Sequence, residues 1–395
     1  MSPAGRRYES QNPWITFQYP IEFAPIWSWL GEAYSKCQHM GGTPLQPALA
    51  RELAQIYLIK GALATTAIEG NTLSEAEVKS LLAGGASLPP SQKYLEQEVR
   101  NVIEGLERID KTSMNGAPFR VSVAWIKEQN ELVLKDLEVE DHVTPGEFTT
   151  RQLVVGIYRA APPSDAEFLM DRLVAWLNDE WLAPLDDEAL PDHWRFFRSF
   201  FAAVLAHLYI AWIHPFGDGN GRTARLLECA ILAHSGVVPW VSSNLMSDHY
   251  NRTRTRYYQR LSNASRERDV SGFISYAAEG YVDMLREQIR EVQRMQRAVA
   301  WTNYVHEQFH DETTGNTRER RCDLALSIPE DRTVTRKDIR ILTTSLAQRY
   351  AGREDKTMTR DLNRLLDMKL IRREPGGYRS NIALIDAFRP IVRNG

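Results

Sequence analysis

Residues 199–217 read SFFAAVLAHLYIAWIHPFG and hold no Lys, Arg, Asp or Glu. A run of that length and apolarity either crosses a bilayer or forms the buried centre of a globular fold. His207, His214 and Pro215 lie inside it and the charges Arg198 and Asp218 bound it, which favours a buried central helix that delivers His214 to a site. His207 is then expected as a hydrogen-bonded core residue. The chain has 395 residues, 43% of them hydrophobic, which is enough for two or three units with sizeable cores.

The end of the run opens into residues 214–225, HPFGDGNGRTAR. Gly219, Asn220 and Gly221 can turn tightly and offer backbone N–H groups to an anion just ahead of a helix, whose dipole also favours negative charge. Arg222 and Arg225 stand three apart on the opening turn of that helix, so they share a face and suit a di- or triphosphate. Asp218 is a hard oxygen ligand of the kind Mg²⁺ takes beside nucleotide phosphates, and His214 is the group that can accept a proton near neutral pH. Leu226, Leu227, Ala230, Ile231 and Leu232 continue at helical spacing, with Gly236 as a stop. Taken singly, these residues read as a core histidine, turn pairs and solvated arginines. Their concentration in one short span favours a site.

The segment resembles the signature of the Fic family, H-P-F-x-D/E-G-N-G-R-x-x-R, with every fixed position filled. The resemblance implies an enzyme that transfers AMP from ATP to a Ser, Thr or Tyr hydroxyl of a target protein or of itself. On that reading His214 is the general base, Phe216 anchors the loop in the core and Asp218 holds Mg²⁺. Asn220 and the N–H groups of Gly219 and Gly221 then hold the α-phosphate, and Arg222 and Arg225 the β- and γ-phosphates. Nucleotidyl transfer works mostly by positioning and charge stabilisation, so this set of residues is chemically sufficient.

Three further segments gain meaning from the resemblance. Residues 65–70, TTAIEG, fit the S/T-x-x-x-E-G/N pattern by which Fic proteins restrain themselves, at the end of a helix predicted over 46–68. Glu69 is the candidate: paired with Arg225, it takes the place of the γ-phosphate. Residues 145–157, PGEFTTRQLVVGI, match the family's β-hairpin flap, which aligns a hydroxyl-bearing target protein by strand addition, and Thr149 stands where many relatives carry Arg. Residues 251–261, NRTRTRYYQRL, resemble the helix beside the adenine pocket, making Tyr258, or Tyr257, a contact to the base, while an Asn of some relatives is here replaced by Ser265 or shifted to Asn263.

The rest of the chain is read from composition and pattern. Ser74 with Glu77 forms a capping box for a helix that restarts after Glu69. The N-terminus lacks an apolar leader and Cys37, Cys229 and Cys322 are isolated, so we expect a cytoplasmic protein with no membrane span, disulfide framework or zinc site. Val282, Leu285, Ile289, Val292, Met295 and Val299 mark one long amphipathic helix, which packs on the core by default and could instead link domains or support a homodimer. From residue 316 onward the chain carries 18 Lys plus Arg against 11 Asp plus Glu, whereas the rest carries 30 against 40. There TVTRKDIRILT, KTMTRDLNRLLDMKLIRRE and GGYRSNIAL read as helix, recognition-like helix (357–368) and a wing turning at Gly376-Gly377. Lys356, Arg360, Arg364, Arg372, Arg373 and Arg379 can meet phosphates there, so DNA is one partner this module allows and protein contact is another.

The predicted fold is therefore mainly α: a Fic-type helical core with a β-hairpin flap, plus a C-terminal winged helix-turn-helix domain. Its expected parts are an N-terminal helical region with the inhibitory motif (1–110), the catalytic core (111–277), a long connecting helix (278–315) and the winged domain (316–395). The favoured function is a protein adenylyltransferase using ATP and Mg²⁺ and restrained by Glu69. The alternatives are a nucleotide-sensing DNA-binding regulator and an enzyme that removes AMP, with Glu69 orienting a water.

Overall fold

The structure, a computed structural model, describes residues 15–17, 21–85, 88–114, 119–156, 158–311 and 315–386. Residues 1–14, Ile157 of the expected flap and residues 387–395 of the expected C-terminal domain lie outside them. The chain divides into two units at Arg290 and Glu291.

In the first unit the helices are α1 (Ala24–Gly41), α2 (Pro47–Ile68), α3 (Glu75–Leu82), α4 (Lys93–Ser113) and α5 (Val123–Leu134). A hairpin of β1 (Val154–Val155) and β2 (Tyr158–Arg159) comes next, then α6 (Pro163–Trp176), α7 (Asp192–Ile213), α8 (Asn220–Ala233), α9 (Leu245–Arg252), α10 (Arg254–Arg266) and α11 (Val270–Gln308), within which the division falls. Residues 199–213 of the uncharged run lie in α7, where Phe200, Ala203, Val204, Leu208 and Ile210 are fully buried. Although α7 is long and apolar enough to cross a membrane, 89% of its most apolar window is buried inside the protein. It is a core helix: aliphatic and aromatic side chains point outward all round it, and α1, α6 and α8 pack against it. His207 is buried, with Nδ1 3.1 Å from Glu228 and Nε2 2.9 Å from the Tyr257 hydroxyl, as expected of a satisfied core histidine.

The predicted helix over 46–68 forms as α2, started by Pro47 in its first turn, and the Ser74–Glu77 capping box starts α3. The long amphipathic helix begins earlier than its apolar spacing suggested, at Val270. The segment 145–157 departs most from expectation, because among its described residues only Val154–Val155 is strand and the partner strand, Tyr158–Arg159, lies beyond it. Its first half spends its backbone elsewhere. The Gly146 N–H, at φ +77°, donates to Asn130, Phe148 bridges to Phe216, and the Thr149 N–H donates to the Pro215 carbonyl.

The second unit has its own core, which includes Phe309, Leu324, Leu346, Met358, Leu362 and Leu365. Its elements are α12 (Asn316–Ser327), α13 (Arg336–Ile339), α14 (Thr344–Tyr350), α15 (Asp355–Asp367) and the antiparallel pair β3 (Ile371–Glu374) and β4 (Gly377–Ser380). The first predicted helix here shortens to α13, capped by Thr335, while the predicted recognition-like helix forms as α15. Inside this unit Asp361, 1% exposed, accepts from Arg320, Arg321 and the Tyr350 hydroxyl, so its buried charge is fully partnered.

Candidate active site

Helix α7 stops because His214 adopts φ +50°, ψ +58°, a left-handed conformation that a residue with a Cβ takes at a cost of about 1–2 kcal/mol. Pro215 follows and cannot extend the helix. The loop then turns back through Gly219, at φ +77°, into α8. No larger residue fits at Gly219, where a Cβ would lie 2.9 Å from Asn130 Nδ2, the atom that also donates to the Asp218 carbonyl. The Asn220 side chain locks the loop from within, since its Nδ2 donates to the Phe216 carbonyl at 2.7 Å and its Oδ1 accepts the Phe216 N–H at 3.0 Å. Asn220 is thus engaged in loop geometry through both its amide atoms. Phe216 is fully buried, with its ring 5.4 Å from that of Phe148, as an anchor for the loop should be.

Beside the loop lies a cavity of about 850 Å³ whose lining includes Glu69, His214, Asn220, Gly221, Arg225 and Tyr258. Burial lowers the His214 pKa below its ordinary value; a main-chain hydrogen bond with Ala211 and the carboxylates of Glu69 and Asp218 oppose this without reversing it. The imidazole is therefore neutral at neutral pH and able to take a proton. Tyr258 is 44% exposed, with its hydroxyl 3.4 Å from the Ile68 carbonyl, whereas Tyr257 is buried and bonded to His207.

The two motif arginines are 4% and 2% exposed, and each takes its own carboxylate. Arg225 Nη2 donates to Glu69 Oε1 at 2.6 Å and to the Thr65 carbonyl at 3.0 Å, and Nε donates to the Thr65 hydroxyl. Burial acts to raise the Glu69 pKa, but Arg225, with Arg222 and Arg254, more than offsets it and holds the carboxyl below its ordinary range. Glu69 lies directly over Gly221, where an added Cβ would come within 2.4 Å of Oε1. Arg222 Nη1 donates to Glu98 Oε1 at 2.7 Å and Nη2 to Asp218 Oδ1 at 3.1 Å. Its Nε is buried without a partner among the described residues. The sequence does not single out Glu98 or Asn130: Glu98 reads as one more polar residue on the amphipathic helix α4, and Asn130 lies far from the loop it ties, whereas Thr65 opens the 65–70 pattern.

Among the described residues no group of three His, Cys, Asp or Glu side chains could enclose a metal. Asp218 suits a cation that arrives with phosphates, because its side chain is 52% exposed and only Oδ1 is engaged, by Arg222 and the Gly219 N–H. The orphaned Arg222 Nε, the side-chain-free Gly221 and the positive loop dipole fit a phosphate chain.

Residues 120–232 match the Fic/DOC family. Protein adenylyltransferase fic-1 of Caenorhabditis elegans is 31% identical over 234 residues, which are 58% of this chain and 41% of that protein. Protein adenylyltransferase Fic of Culex quinquefasciatus is 31% identical over 212 residues, 54% of this chain and 38% of that protein, so the chain spans about two fifths of the length of such relatives. The structure of Fic-1 from C. elegans superposes with a TM-score of 0.55 at 25% identity, covering 69% of this chain and 74% of that one. A Fic family protein from Desulfovibrio desulfuricans G20 covers 92% of this chain and 97% of its own at 20% identity and a TM-score of 0.53, a likeness of fold. The matched residues, 120–232, hold the loop and both buried arginines, so the site falls within the part of the chain that is similar to the Fic/DOC family.

Proposed function

We propose that this chain is a protein adenylyltransferase that moves AMP from ATP to a Ser, Thr or Tyr hydroxyl of a target protein or of itself. The reading rests above all on one cavity lined jointly by a neutral histidine, a glycine-opened helix start and a buried arginine. Similarity to protein adenylyltransferases supports AMP transfer over a purely nucleotide-sensing role or AMP removal.

The chemistry follows from the positions. His214 accepts the proton of the hydroxyl, whose oxygen attacks the α-phosphorus; the bond from that phosphorus to the bridging oxygen of the β-phosphate breaks and pyrophosphate leaves. The N–H groups at the start of α8 stabilise charge on the α-phosphate, and Arg222 and Arg225 that on the departing pyrophosphate. Mg²⁺ held by Asp218 would neutralise phosphate charge when bound. Tyr258 borders the base. A target segment would extend the β1–β2 hairpin, whose Val154 and Val155 are 63% and 46% exposed. Glu69 restrains the enzyme by holding Arg225, and the γ-phosphate must displace it. Incubation with ATP labelled at the α- or γ-phosphate tests the reaction: AMP transfer leaves only the α-label on protein, and retention of γ-label would show phosphoryl transfer instead.

The C-terminal unit supports a second property. Its helices followed by a β3–β4 hairpin, with Val334 bridged to Tyr378, support the reading of a winged helix, and Lys356, Arg360 and Arg364 are exposed along α15. We read this face as a surface for DNA phosphates. Retardation of duplex DNA that disappears as salt rises supports it, and no retardation at low salt eliminates it.

A further inference from the structure

Arg222 and Arg225 are like charges one turn apart on α8, each almost wholly removed from water. Such a pair persists only where carboxylates meet it. Glu69 serves Arg225, but on the transferase reading this contact is lost whenever nucleotide is seated. Among the described residues, the carboxylates that then remain paired with the two arginines are those of Arg222: Asp218, whose side chain is half exposed, and Glu98, whose side chain is 14% exposed. Glu98 is itself fixed on its other side, since Asn71 Nδ2 donates to Oε2 at 3.0 Å and to the Leu95 carbonyl at 2.9 Å. Burial raises the Glu98 pKa above its ordinary value, Arg222 and Asn71 oppose this without reversing it, and the carboxylates of Asp218 and Glu69 add to it.

Donor arithmetic decides what this contact does. A guanidinium has five N–H donors. Arg222 gives one to Glu98 and one to Asp218, leaving spare donors that include the buried, unpartnered Nε–H. It need not leave Glu98 to take a phosphate. We propose, on the strength of the transferase reading, that Glu98 is a positioning residue: it holds the Arg222 guanidinium so that its free N–H groups meet the outer phosphates of the nucleotide. Asn71, two residues after Glu69, fixes Glu98 and thereby links the arginine's orientation to the loop that carries the inhibitory glutamate.

The test uses the full chain with Glu69→Gly, so that displacement of Glu69 does not enter, and compares binding of ATP with binding of AMP, which lacks the outer phosphates. Glu98→Gln should weaken ATP by roughly tenfold, the scale of one charge-assisted hydrogen bond, and leave AMP unchanged. In an Arg222→Ala background the same substitution should cost nothing further, since the two act as a unit. Asn71→Ala should produce a smaller loss of the same kind. Unchanged AMP affinity shows the pocket intact, so a general folding defect, which would weaken both nucleotides together, overturns the positioning role. Tighter ATP binding in Glu98→Gln also overturns it, by showing that Glu98 restrains Arg222. If the Glu69→Gly parent binds neither nucleotide, the transferase reading fails and takes this inference with it; a parent that binds while Glu98→Gln changes nothing removes Glu98 alone.

Discussion

Helices α8 and α15 both carry arginines one turn apart, and the protein spends them in opposite ways. Arg222 and Arg225 are buried and oriented by carboxylates 124 and 156 residues away in the chain, whereas Arg360 and Arg364 have exposed side chains. Desolvated, oriented charge resists screening and recognises a ligand of one shape. Exposed charge acts as a field that salt weakens over about 8–10 Å. The contrast fits a nucleotide in the first unit and a long polyanion at the second.

The largest effect should come from the proton acceptor that the buried pair serves. Replacing His214 by Ala should lower AMP incorporation by roughly 100- to 10,000-fold, whereas the same change should leave DNA retardation as it is. Next, Glu69→Gly should raise incorporation by roughly 10- to 100-fold, since it removes one charge-assisted contact at Arg225. Unchanged labelling would remove Glu69 from any restraining role. Arginine-to-lysine exchange sharpens the comparison further. Arg225→Lys loses the fork that reaches both Thr65 and Glu69, and should weaken ATP by roughly tenfold, while Arg360→Lys should leave DNA retention within about twofold. Equal effects at the two sites would erase the distinction drawn between them.

Acidity gives a subtler reading. Because His214 is lowered by burial, the acid limb of kcat/KM for labelling should lie below the ordinary histidine value of about 6.5. Glu69 is lowered in the folded state, so the stability from its pair with Arg225 is complete above the unfolded carboxylate value of about 4.3 and is lost as pH falls through the lower folded one. The ratio of Glu69→Gly to wild-type activity should therefore stay flat across neutral pH. A ratio that collapses between about pH 8 and 6 would contradict a persistently charged Glu69.

What could be read from the sequence was local. The spacing of His214, Asp218, Arg222 and Arg225 and the helix ending at Ile68 depend on neighbours a few residues away, and both appear where the pattern put them. Glu98 could not be found that way, since a glutamate on an amphipathic helix looks like any solvated one until the fold brings Arg222 to it. Asn220 shows the same limit from the other side: it is a motif residue, but the turn consumes its amide. In the flap the β-branched run was visible, while the tie from Thr149 to Pro215, which diverts the preceding backbone from strand pairing, was not.

The central claim is that the buried arginine helix and His214 form a transfer site held back by Glu69. It is tested most directly by incubating the Glu69→Gly chain with α-labelled ATP, alongside the same chain carrying His214→Ala. Strong labelling of the first and its loss from the second is the predicted result; equal labelling of both would contradict the assignment of His214 as the proton acceptor and, with it, the site.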